Sequence, residues 1–385
     1  MALSLKRFRF KRLSDLLLVG FITSIGIALL NPVWSLYFYD IFKSTFLVGA
    51  FSSLLSVVAL ICFFLFTPII QRFQGKKVYL FALIASIFVL LGLSIFKGFY
   101  IGVILIVLYV MLMTLRGESF GILFRDEVKD KSIGKSEGLS YTLSSLGWLI
   151  GALFVIPLLG YYKFPSIFFF SALFTFLALI TFCFYKGRHK NLDGEVNLIK
   201  DIKDFFRNKS FLKIYIVSIG DSIWRGLIFV YVPLYIIMNN LDRSYVGIFL
   251  FLFIVPYLIE YYVGKKSDRI GNKFFISLGY IVISILALLA FIFNDFKISL
   301  IFLALSSFGT CFIQPTRETY FFKLTSKKEE EKYYGIFLTH IEIGLLIGKI
   351  IPAVLLLYFS FRSIFLVFSI IMFLFYLYSL RLEDV

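Results

Sequence analysis

Twelve apolar runs dominate the chain, at roughly 14–39, 46–70, 78–97, 99–123, 138–160, 164–186, 211–238, 244–263, 274–294, 297–323, 333–357 and 361–380. Each is close to the ~20 residues that a helix needs to cross a bilayer. Lipid offers no water to satisfy backbone N–H and C=O groups, so such runs predict helices. The expected fold class is an all-α integral membrane protein. Hydrophobic residues make up 60% of the chain and mean hydropathy is +0.93, more apolar sequence than any soluble domain needs. The first run is too long for a cleaved leader and lacks a small-residue cleavage site, so it is expected to remain.

The net charge of +16 would suggest a nucleic-acid partner in a soluble protein. Here the bases fall in the short loops. With both termini inside, 29 Lys and Arg lie on the inner side and six on the outer: Lys43, Lys97, Lys163, Arg243, Lys297 and Arg362. The positive-inside rule then places both termini in the cytoplasm, with the protein in the cell membrane and no nucleic acid bound. Cys62, Cys183 and Cys311 lie apart within apolar runs, with neither metal nor disulfide spacing. No G-x4-G-K-[ST] loop occurs, which argues against ATP hydrolysis by this chain. A membrane enzyme would need a metal or nucleophile cluster, and none is visible. No cofactor is expected.

Residues 264–273 read GKKSDRIGNK, in the pattern G-x-x-x-D-R-x-G-x-K. So polar a stretch between two spans predicts a tight turn at a membrane face, with Gly264 and Gly271 supplying backbone freedom. Asp268, Arg269, Gly271 and Lys273 follow Gly264 at the spacing of the signature loop of the major facilitator superfamily of transporters, which this stretch resembles. A shift of 197 residues carries Arg72 onto Arg269 and Lys76 onto Lys273. The same shift carries Gly138, Thr142, Gly147, Leu149, Ile150 and Gly151 onto Gly335, Thr339, Gly344, Leu346, Ile347 and Gly348. The resemblance therefore covers nearly the whole chain. It implies two six-helix halves, 1–186 and 211–385, with the substrate near the midplane between them. The first half departs from the pattern: Gln71 stands for Asp268 and Thr67 for Gly264. In the family, this acid faces the start of a helix in the opposite half and latches the inner side. By the repeat, Asp268 is expected near Ser136 to Gly138, where unpaired N–H groups and the helix dipole favour a carboxylate. Gln71 has no charge, so the latch is lopsided.

The linker, 187–210, holds Val196, Ile199, Ile202, Phe205 and Phe206 at helical spacing, with Lys200, Lys203 and Arg207 between them. This pattern predicts an amphipathic helix on the inner membrane face, against the alternative of a solvated linker.

Charged residues inside the spans mark a cavity or ion pairs. They are Arg116 and Glu118 in the fourth span, Asp221 and Arg225 in the seventh, Arg317 and Glu318 in the tenth, and Glu342 and Lys349 in the eleventh. Asp221 and Arg225 are four apart and can pair. Glu342 and Lys349 share a face but lie about 10 Å apart along the axis. Arg116 and Glu118 point to different faces, as do Arg317 and Glu318, so these four seek partners on other helices. Glu260 is assigned to the inner loop network. Glu342 and Glu318 rank ahead of Asp221 as proton carriers, because a nearby base holds an acid ionised. Arg116 also matches the family's fourth-helix arginine, with Gly121 one residue late. The FRDE at Phe124 to Glu127 resembles the end of that helix in prokaryotic members. Of the two histidines, His189 lies in the linker and His340 on the Gly344/Gly348 ridge, where packing suits it better than proton transfer.

Gly147/Gly151 and Gly344/Gly348 are small-xxx-small pairs that allow close helix packing. With Gly138 and Pro157, and with Gly335 and Pro352, they also resemble the antiporter motif of the family's drug exporters, although Ala152 breaks its final Gly-Pro. Asn31-Pro32 and Pro233 predict interrupted helices at matching places, pointing to the cavity. The reading is a monomeric, proton-coupled secondary transporter of a small organic solute working by alternating access, with export favoured. The alternatives are an uptake symporter for an anionic organic solute and a non-transporting membrane sensor of the same fold.

Overall fold

The structure, a computed structural model, describes residues 2–96, 98–128, 133–187 and 198–384. His189, Val196 and Lys97 lie outside the described residues, as do the side chains of Thr67, Gln71 and Ile199. Fifteen α-helices are described and no strand: α1 (Ala2–Phe42), α2 (Thr45–Phe73), α3 (Gly75–Ile95), α4 (Phe99–Glu127), α5 (Ile133–Tyr161), α6 (Phe164–Cys183), α7 (Leu198–Arg207), α8 (Lys209–Met238), α9 (Ser244–Ile254), α10 (Glu260–Ile270), α11 (Asn272–Ile292), α12 (Phe296–Leu305), α13 (Ser307–Leu324), α14 (Lys327–Leu355) and α15 (Phe361–Ser379). Among the described residues, twelve spans are long and apolar enough to cross a membrane; α9–α10 and α12–α13 each count as one. Large apolar side chains point outward along them: Phe88 is 70% exposed, Phe81 62%, Leu374 58% and Ile292 56%. Such faces would aggregate in water and belong against acyl chains.

The chain divides into two compact units, Met1–Val33 with Val58–Gly194, and Trp34–Val57 with Glu195–Val385. The second boundary falls inside the 187–210 linker. The first departs from the sequence halves, because residues 34–57, the end of α1 and the start of α2, pack within the second unit. In the first unit Leu16 and Val19 of α1, Tyr79 and Leu83 of α3, Leu123 of α4 and Ala178 and Phe182 of α6 share one core. The Tyr79 and Phe182 rings meet edge-on at 4.7 Å.

The repeat is visible within each unit. A Cβ at Gly147 would meet Phe21 O at 2.6 Å, and one at Gly151 would meet Ala28 Cβ at 2.5 Å, so α5 presses on α1. At Gly344 a Cβ would meet Ser222 Cβ at 2.3 Å and at Gly348 Ile223 O at 2.1 Å, so α14 presses on α8 in the same way. Gly138 is half-buried in α5 and Gly335 borders open space in α14. In α14 the close approach is confined to Gly344 and Gly348.

Three expectations are corrected. Residues 264–270 are not a turn: Gly264 to Ile270 continue α10, and the chain reverses at Gly271 alone, with φ 108 and its N–H donating to Ser267 O at 2.9 Å. In the repeat, Gln74 takes this place with φ 66 and ψ 123 between α2 and α3. A side chain is strained there, so Gln74→Gly should raise the thermal midpoint by an amount worth about 1 kcal/mol. An unchanged or lower midpoint of the purified variant would refute that strain.

Pro32 and Pro233 do not interrupt their helices; α1 and α8 run through them. The breaks lie elsewhere in the second unit. A 3₁₀ segment, Val255–Ile259, separates α9 from α10 and carries in its first turn Pro256, whose missing N–H ends the regular ladder. The tenth span breaks at Ser306 and Ser307, whose hydroxyls donate back to Leu303 O at 2.6 Å and Ala304 O at 2.7 Å, taking over backbone acceptors. Trp224 Nε1 of α8 donates to Ser306 Oγ at 3.2 Å and fixes the break.

The linker helix forms over Leu198–Arg207, but Phe205 is fully buried against protein rather than presented to lipid. Its ring lies 5.5 Å from Phe211, 5.8 Å from Tyr215 and 5.8 Å from Tyr333. Lys332 Nζ of α14 pairs with Asp201 at 2.9 Å and Asp204 at 3.6 Å, holding α7 to the second unit. The start of α14 carries a capping box, Ser326 with Glu329, and the Ser326 amide and hydroxyl hold the Glu329 carboxyl below its ordinary range.

Candidate functional site

The membrane charges sort into three groups. In the second unit Arg317 Nη1 donates to Asp221 Oδ2 at 2.7 Å, joining α13 to α8, with side chains only 3% and 0% exposed. Asp221 thus pairs with Arg317 and not with Arg225 one turn away on its own helix. Arg317 reaches Asp221 where α13 packs on α8, whereas the charge of Arg225 acts on Glu342 of α14. Tyr280 of α11 accepts the Asp221 N–H at 3.0 Å and donates to Val217 O, bracing the same stretch of α8. Glu318 is buried in α13 beside this pair.

The second group surrounds Glu342. Lys349 lies two turns away, too far for a direct ion pair, and Ser56 of α2 fills the gap. Lys349 Nζ donates to Ser56 Oγ at 2.8 Å and Ser52 O at 3.3 Å. The Ser56 hydroxyl also hydrogen-bonds the Glu342 carboxylate, and both Lys349 and Arg225 act on that carboxylate. One acid, two bases and a bridging serine thus form a polar cluster on α2, α8 and α14, all within the second unit.

His340 is fully buried one turn before Gly344, its Nδ1 2.6 Å from Phe337 O. Its ring sits 4.7 Å from Phe337 and 6.2 Å from Tyr215, whose hydroxyl meets Thr339 Oγ1 at 2.8 Å. This is an aromatic packing site.

The third group is in the first unit. Arg116 is buried, hydrogen-bonds the Tyr109 hydroxyl and lies near Tyr79. Glu118 is half-buried and faces Cys62 of α2. At the end of α4, Glu127 pairs with Arg12 Nε at 3.2 Å and accepts from Tyr185 Oη at 3.0 Å. Burial and the Glu127 carboxylate push the Tyr185 hydroxyl above the ordinary phenol range, so it stays a donor.

The signature lysines repeat a role. Lys76 Nζ donates to Tyr185 O at 2.8 Å, where the chain leaves α6, and Lys273 Nζ lies 3.9 Å from Asp384, where it leaves α15. Asp268, Arg269 and Arg72 are exposed. Ser136 is buried in α5.

Asp40 in the last turn of α1 and Arg243 just before α9 form a bidentate pair, Nη1–Oδ2 at 2.9 Å and Nη2–Oδ1 at 2.7 Å. Nothing in the local sequence links residues 203 apart, nor marks Ser52 and Ser56 among the serines of an apolar run.

A helical bundle of twelve spans in two repeated units, with acids and bases inside the spans, is the architecture of a solute transporter. The Major Facilitator Superfamily model matches residues 16–259 and 225–384, and the chain belongs to that family. It is a membrane transporter of the major facilitator type. A curated relative, an uncharacterised transporter of this type from Methanocaldococcus jannaschii, is 26% identical over 148 residues. That match covers 38% of each protein, so the chain aligns with well under half of the relative's length. Among solved structures, a human organic anion transporter superposes with TM-score 0.76 at 13% identity, covering 96% of this chain and 99% of that one. A nucleoside transporter gives 0.75 at 14% identity, covering 97% and 100%. A POT family transporter in complex with 5-aminolevulinic acid gives 0.79 at 11% identity, covering 95% and 94%. At these identities the likeness is one of fold.

Proposed function

We propose that the protein is a proton-coupled secondary transporter that exports a small organic solute by alternating access, as a monomer in the cell membrane with both termini in the cytoplasm. The observation that carries this reading is the set of ionisable side chains held inside the spans, which a passive scaffold has no reason to keep. The chain offers no nucleotide-binding loop, so an ion gradient is the energy source. The glycine ladder supports export, and the 29-to-6 division of bases supports the orientation. Asp268, exposed on α10, remains free to serve as the inner latch that the signature loop implies.

The test is reconstitution in proteoliposomes with an imposed pH gradient and a panel of organic cations, anions and zwitterions. Export predicts that solute moves against the proton gradient and that protons move the opposite way. Transport of every solute at a rate indifferent to the gradient would remove the coupling.

A second reading, uptake of an anionic organic solute, is favoured by the cluster at Glu342, where two bases act on one acid. In the same assay it predicts proton and solute moving together. Arg317 is the least available of the four intramembrane bases for that role, because Asp221 already occupies it.

A further inference from the structure

We propose that Glu118 of α4 is the carboxyl that binds and releases the coupling proton, an assignment that rests on the proton-coupled reading above. Glu118 lies nine residues before Glu127, the end of its span, or about 14 Å along the helix axis. That depth is well inside a hydrocarbon core ~30 Å thick. Its Oε1 is buried, with no hydrogen-bond partner among the described residues. Three other acids of the chain are differently placed. Asp221 has Arg317 at 2.7 Å, Glu342 has Ser56 and two bases, and Glu127 has Arg12 and Tyr185. Each of those is compensated by a fixed cation or donor. The base closest in sequence to Glu118 is Arg116, and it is turned away onto Tyr109.

The titratable group on which the Glu118 charge acts is Cys62 of α2, a thiol with no positive charge to offer. An ionised carboxylate left in hydrocarbon without a cation costs several kcal/mol, and a proton removes that cost. A carrier must also exchange its proton with water. Gly121, one turn on, shares the Glu118 face, and a Cβ placed there would meet no atom within 4 Å. The helix therefore leaves open space beside the carboxyl where a larger residue would close it. This assignment reverses the order read from sequence, which put Glu342 and Glu318 first. Glu342 has Ser56 bonded to it and two bases acting on it, partners that the Glu118 Oε1 lacks.

The test is infrared titration of the reconstituted protein, which reads protonated carboxyl bands directly and needs no solute. Wild-type protein should show a band that disappears as pH rises. Glu118→Gln should lose that band, while Glu342→Gln should keep it. Glu118→Asp keeps a carboxyl and should show the band at a shifted frequency, so the assignment does not depend on one variant folding. A band unchanged in E118Q, or unshifted in E118D, overturns the assignment. In transport, E118Q should lose pH-driven accumulation yet retain solute exchange at equilibrium; retention of pH-driven accumulation also overturns it. Failure of the coupled-transport reading is distinguishable, because it shows in wild-type protein as transport indifferent to the gradient, and it removes the coupling role with it.

Discussion

Removing Asp221 alone should cost more stability than any other single change to the charged residues. Asp221→Ala leaves the Arg317 guanidinium buried in the second unit without its 2.7 Å partner. Breaking a buried pair on one side costs roughly 3–5 kcal/mol, a large share of the 5–15 kcal/mol that holds a typical domain together. The expected result is a sharp fall in the thermal midpoint of purified protein and in the yield of monodisperse material. Replacing both partners by apolar residues of similar volume, Asp221→Leu with Arg317→Met, should recover most of the loss, because neither charge is then stranded. The double variant also separates structure from function. A folded double variant that transports normally makes the pair a brace between α8 and α13, and a folded but inactive one places the pair in the solute path. A D221A midpoint equal to wild type would contradict the buried pair itself.

The second large effect is expected at Gly348. An added Cβ would stand 2.1 Å from Ile223 O and 2.9 Å from the carbonyl carbon of Ile223, both backbone atoms of α8. No side-chain rotation relieves such a clash, so α14 and α8 must separate. Overpacking of this kind costs typically 1–3 kcal/mol, and the backbone identity of the obstacle puts Gly348→Ala at the upper end. Gly335→Ala is the matched control on the same helix. Nothing lies within 4 Å of its added methyl, and alanine is favoured over glycine in a helix by about 0.5–1 kcal/mol. The two variants should shift the thermal midpoint in opposite directions. A neutral G348A would mean that the helices are not in the close contact described.

The spans and the repeat were readable because both are one-dimensional properties. A bilayer sets the length of an apolar run, and a repeat at an offset of 197 places glycines in register without any knowledge of their neighbours. Partners were not readable in the same way. The i,i+4 rule pointed Asp221 to Arg225, since spacing on one helix is all that a single sequence displays. The true partner, Arg317, is 96 residues away and is chosen by how α13 meets α8. Likewise the separation of Glu342 from Lys349 could be measured along the axis, but the serine that spans it comes from α2. Prolines misled for a related reason. Pro32 and Pro233 are absorbed within continuous helices, while the tenth-span break is made by two serines competing for backbone carbonyls, a signal that serines in a sequence seldom announce.

The assignment of residues 34–57 to the second unit bears on how such a chain could be assembled from pieces. The 197-residue repeat suggests duplication of a six-helix ancestor, with each copy once complete in itself. The present protein is no longer separable along that seam. A fragment beginning after the linker would lack Asp40, the bidentate partner of Arg243, and Ser52 and Ser56, the acceptors of Lys349. Arg243 and Lys349 would be left without the groups that neutralise or solvate them, and Tyr231 without the Gly49 backbone against which it packs. Co-expression of the two halves as separate polypeptides should therefore yield a stable product only when both are made together, each serving as the other's folding template.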